Sequence, residues 1–98
     1  MANFTVDPDI VEQKAKAVDE YAETYDAISR ELLSVATTMG AAYDSADNKT
    51  FVSRIEDCSK DLKAMAEKLR FTSNTMKEQA NEYRKREMEN TQRAANLP

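Results

Sequence analysis

The stretch IEDCSKDLKAMAEKLRFTSNTM, residues 55–76, decides the fold. Ile55, Leu62, Leu69 and Met76 recur every seven residues, and Cys58, Met65 and Thr72 follow them three positions on. Apolar residues three and four apart line one side of an α-helix. An unbroken seven-residue repeat keeps that side turned towards a neighbouring helix. The two columns reach back to Phe51 and forward to Gln79 and Tyr83, where the apolar character weakens. The spacing predicts a helix over about 48–88 and a polar, fraying tail over 89–98.

The first half repeats the scheme. Val11, Val18, Tyr25, Leu32 and Met39 form one column, and Lys14, Tyr21, Ile28, Val35 and Ala42 a second. Ala15, Ala22, Ser29, Ala36 and Tyr43 form a third. Together they predict a helix over 8–42, about 54 Å long at 1.5 Å per residue. Asp7 is placed to cap its first amides, with Pro8 at the first helical position. Val6 and Val11 are spaced as a hydrophobic staple across that start. The prolines are Pro8 and Pro98, and the single glycine is Gly40. The pattern falters there, and the cap-rich run Asp44-Ser45-Ala46-Asp47-Asn48 predicts a turn at 43–47, with Asp47 or Asn48 capping the second helix.

Two long helices and a short turn give an all-α, single-domain antiparallel hairpin spanning 1–98. The sequence places Tyr21, Tyr25 and Cys58 in the core of that hairpin. Two helices bury only the strip between them, and the apolar stripe here is wider than one strip. So thin a core requires staples, metal or association. One cysteine allows no internal disulfide, and no metal site is legible. The expectation is a four-helix bundle made with a second hairpin. The partner-binding seam is assigned to Val18, Tyr25, Ile28, Leu32 and Val35 on the first helix. On the second it is assigned to Ile55, Leu62, Met65, Leu69 and Met76.

Chemistry is sparse. The chain has no histidine, which removes Ser-His and Cys-His nucleophile pairs and the commonest zinc ligand. No glycine-rich loop cradles a phosphate. No enzymatic activity, no cofactor, no metal and no small-molecule substrate are expected. The net charge is −4. Through position 46 three basic residues meet nine acidic ones, a net of −6; the remainder holds eleven and nine, a net of +2. That balance argues against nucleic acid, whose phosphates demand clustered Lys and Arg. The basic run Arg84-Lys85-Arg86 is offset by Glu82, Glu87 and Glu89. Met1 to Pro8 carry neither a basic start nor an apolar run, so a cleavable signal peptide is not expected.

The pattern resembles the WXG family, helical hairpins of about one hundred residues handled by type VII (ESX) secretion in Gram-positive bacteria and mycobacteria. The likeness rests on the length, the proline in the first turn, an aromatic turn and a C-terminal aromatic-acid motif. The family's Trp-x-Gly turn corresponds here to Tyr43-Asp44-Ser45, with Phe51 eight residues after the aromatic. Its export signal, Tyr-x-x-x-Asp or Glu, corresponds to Tyr83-Arg84-Lys85-Arg86-Glu87. The resemblance implies folding in the cytoplasm and secretion without a cleavable signal peptide. It implies pairing with another hairpin, in a homodimer or a paralogous heterodimer, or with the helical N-terminal domain of a larger secreted toxin. There the small chain serves as a targeting factor or chaperone. It also implies that a membrane secretion ATPase reads Tyr83 and Glu87 beside a partner's turn. Tyr in place of Trp and Ser in place of Gly fit one half of a heterodimer best. The rival reading is a coiled-coil adaptor with no secretion role, which the heptads fit equally well.

Overall fold

The computed structural model describes residues 7–42 and 44–97, and among them it holds two helices, α1 (Pro8–Ala42) and α2 (Ala46–Ala95). They lie antiparallel in a rod 82 Å long and 14 Å across its thinnest dimension. Asp7 opens α1: its carboxylate accepts from the Asp9 amide at 2.9 Å, and its carbonyl from the Val11 amide at 3.1 Å. The cap of α2 is Ser45, not Asp47 or Asn48. Its backbone is extended and its hydroxyl accepts from the Asn48 amide at 3.2 Å. The turn is correspondingly tighter than 43–47, since Ala46 and Asp47 already belong to α2. Asn48 instead donates through its side chain to the Met39 carbonyl at 2.9 Å, tying the end of α1 to the start of α2.

The structure differs from the sequence reading at both ends of α2. Residues 89–95, expected to fray, are helical, and α2 is 50 residues long against 35 for α1. The staple between Val6 and Val11 lies outside the described residues.

The core also differs. The buried residues are Ala15, Ala22, Ser29 and Ala36 on α1, and Ser59, Ala66, Ser73 and Ala80 on α2. Each set is spaced by seven, and no large side chain is buried in either. Ala and Ser at every contact let the two backbones approach more closely than Leu or Ile allow, because interaxial distance follows the size of the contacting side chains. Cys58, Tyr21 and Tyr25 are therefore exposed rather than buried.

Serines fix the register. Ser29 Oγ donates to the Ser59 carbonyl at 2.9 Å, and Ser59 Oγ returns the bond to the Ser29 carbonyl at 2.8 Å. About four turns away, Ser73 Oγ donates to the Ala15 carbonyl at 3.0 Å. A buried hydroxyl without a partner costs free energy, so sliding one helix past the other would strand all three.

Candidate partner-binding surface

With the seam filled by small residues, the larger side chains flank it on two faces of unlike chemistry. On one face charged residues meet in rungs. Arg84 reaches Asp9 at 2.7 Å and Glu12 at 3.0 Å; Lys77 reaches Asp19 at 2.6 Å; Arg70 reaches Asp26 at 2.5 Å and Glu23 at 3.0 Å. The bases are seven apart, as are Glu12, Asp19 and Asp26, so antiparallel heptads bring base to acid at each rung. The Lys77 bond, with help from Ser73, holds the Asp19 carboxyl below the ordinary carboxylate range. Hydrogen bonds to Asp26 and Asp9 likewise raise the Arg70 and Arg84 guanidinium pKa values.

The other face is apolar and open. Val18, Leu32, Ile55, Leu62, Leu69 and Met76 are half-buried, while Tyr25, Ile28, Val35 and Met65 are exposed. None of the ten residues assigned to the partner-binding seam is fully buried inside the hairpin. Tyr21, Thr24, Tyr25, Ile28 and Leu69 line a depression at its middle, where Tyr21 is 61% exposed and Ile28 40%. Isolated apolar residues on a surface are ordinary, but a contiguous patch marks an interaction site.

The motif residues lie at the two ends. Tyr83 continues the column Ile55, Leu62, Leu69, Met76, and Glu87 continues the buried column Ser59, Ala66, Ser73, Ala80. Glu87 is exposed because α2 has by then run past the start of α1. Tyr83 is half-buried in a cleft with Val11, Gln79, Ala80, Glu82 and Arg86. Partial burial, then the Glu87 carboxylate one turn on, raises the Tyr83 hydroxyl above the usual tyrosine pKa. At the opposite end Ser45 serves as the cap, and Phe51 is half exposed beside the apolar face. Tyr43 lies outside the described residues. Tyr83 and Glu87 thus sit at the far end of the rod from Ser45 and Phe51, and one chain does not bring the two motifs together. The buried Ser59 column carries no large apolar residue, so an apolar pattern passes over it; its only signal is small residues repeated at seven-residue spacing.

Among the described residues no group of histidine, cysteine or carboxylate side chains is arranged to hold a metal, and no helix is long and apolar enough to cross a membrane. What the geometry defines is a thin helical hairpin with one face bridged by ion pairs over its middle and far thirds and one apolar face open. The chain belongs to the WXG100 family, proteins of 100 residues with WXG, whose model matches residues 3–88. This is a family of small helical proteins of type VII secretion whose members pair with other helical proteins and are not known as enzymes. No curated protein and no solved structure matches the chain.

Proposed function

We propose that this chain is a small exported substrate, or the targeting and chaperone partner of one, in a type VII secretion system. It pairs through its apolar face with another helical hairpin or with the helical domain of a larger secreted protein, closing a four-helix bundle. Tyr83 and Glu87 form the export signal that a membrane secretion ATPase reads. The observation that supports this reading is the position of that pair: one turn apart on α2, with Tyr83 half-buried against the start of α1 and Glu87 exposed beyond it. An aromatic ring and a carboxylate so placed can enter a groove of a receptor without disturbing the bundle. Tyr43, Ser45 and Phe51 at the other end shape the turn that lies beside a partner's signal in an antiparallel pair.

The test is the culture supernatant of the host with and without its secretion ATPase, for the native chain and for Tyr83→Ala. Export that requires the ATPase and disappears in the variant, with helicity unchanged by circular dichroism, is the expected result. Undiminished export of Tyr83→Ala removes the signal from Tyr83. Retention of the native chain in the cytosol of both strains leaves a chaperone that is not itself exported.

A further inference from the structure

The ionic ladder stops short of the turn. Its three rungs pair Glu12 with Arg84, Asp19 with Lys77 and Asp26 with Arg70. The same register puts Leu33 opposite Lys63 and Gly40 opposite Glu56 at the next two positions. On α1 the acids give way to Leu33, 46% exposed, and to Gly40, whose absent side chain leaves open space: a Cβ there would meet nothing within 4 Å. On α2 the charges remain and are exposed, and neither Lys63 nor Glu56 makes a side-chain hydrogen bond or ion pair among the described residues. Two hollows meet at Glu56. One is lined by Leu33, Ala36 and Thr37, the other by Gly40, Asp44, Asn48, Lys49 and Val52.

A glycine inside a helix costs about 1 kcal/mol relative to alanine. Gly40 has no positive φ and no crowding to require it. Its effect is to vacate the rung opposite Glu56. An exposed leucine, a vacated hollow and two unpaired opposite charges one heptad apart have the chemistry of a ladder lacking its second strand. We propose that this turn-proximal third of the ionic face is a second docking groove, filled by a helix of another protein. That helix places an aliphatic side chain against Leu33 over Gly40, a basic residue over Glu56 and an acidic residue over Lys63. Glu56 and Lys63 are seven residues apart, about 10.5 Å along the helix, so the complementary residues are also spaced by seven. The groove faces away from the apolar surface, so it stays open when that surface is covered. A hairpin paired on one face can thus hold a third helix on the other.

The test titrates the isotopically labelled chain, alone or in its bundle, with designed alanine-based helical peptides. Each carries Leu at its centre and Lys and Glu seven apart, in both orders. The expected result is saturable chemical-shift change at Leu33, Gly40, Glu56 and Lys63, with the charge-matched order bound about fivefold more tightly than the reversed one, as two exposed pairs allow. The double variant Glu56→Lys with Lys63→Glu, both exposed and unpaired, then prefers the opposite order. Gly40→Leu, which fills the hollow, abolishes the shifts while helicity is retained. Shifts confined to the Tyr21, Ile28 and Leu69 face, no shifts up to millimolar peptide, or an order preference unmoved by the charge reversal would each overturn the groove.

Discussion

The two faces of this hairpin differ in what they have left to give. On the ionic face Arg70, Lys77 and Arg84 each find carboxylates on α1, so its middle and far thirds are satisfied within one chain. On the apolar face Val18, Tyr25, Leu32, Leu62, Leu69 and Met76 find only one another's edges and water. The seam between the faces buries alanines and serines, and the largest fully buried side chains are Ser59 and Ser73. Burying a Leu- or Ile-sized side chain stabilises by about 1.5–3 kcal/mol, and burying a methylene by about 0.8. The hairpin therefore holds a close-fitting but poor core, and its larger apolar side chains stay half-buried or exposed on the open face. Ordering two long helices has a large entropic cost.

The contrast is broken most strongly on the apolar face. Leu69→Glu places a charge in the middle of the open patch, where a partner would bury it. Partner affinity is expected to fall at least about a hundredfold, the effect of losing a central anchor and desolvating a charge. The helicity of the separate chain should hardly change; calorimetric titration checks the affinity and circular dichroism the helicity. Next in size is the seam: Ala66→Leu forces a branched side chain where backbones are in close approach, at a cost of about 1–3 kcal/mol, read as a lowered thermal midpoint. If the midpoint is unmoved, the helices do not meet along the Ala and Ser columns.

The ladder matters less, since exposed ion pairs contribute little. Its signature is pH. Asp19 has a folded-state pKa below the ordinary carboxylate value, so its contribution is fully present above that ordinary value. It is lost as the pH falls through the lowered one. Lys77→Met removes the main cause of the shift. The thermal midpoint of the native chain should thus fall more steeply than that of the variant as the pH drops below about 4. Parallel curves would remove Lys77 as the cause. Smallest is Gly40→Ala, expected to raise stability by up to about 1 kcal/mol, because the added methyl meets nothing and the helix gains a better former.

The hairpin, its handoff near residue 43 and the start at Asp7 were all legible, since they depend on periodicity and capping within a few residues. The choice of core was not. Ile55, Leu62 and Leu69 attract attention by their hydrophobicity, yet the inner contact goes to Ser59, Ala66 and Ser73, four residues further along the same helix. Antiparallel helices compete for close approach, and small residues win that competition, leaving the bulky columns to flank it. Cys58, Tyr21 and Tyr25 were displaced from the core for the same reason. The cap moved from Asp47 or Asn48 to Ser45, whose backbone is extended and whose hydroxyl accepts from the Asn48 amide. The tail became helix because 89–95 contains no breaker and follows an unbroken α2.

The sequence by itself determined two long helices, their antiparallel return, and the tyrosine-acid pair at 83 and 87. Those depend on residue type and spacing along one helix. Only the tertiary structure decided which columns meet, that charges at 12, 19 and 26 find those at 84, 77 and 70, and that the ladder ends with Glu56 and Lys63 unmatched. Those depend on the axial register of one helix against the other, set by the bonds between Ser29 and Ser59, and register is a property of the pair that neither helix carries alone.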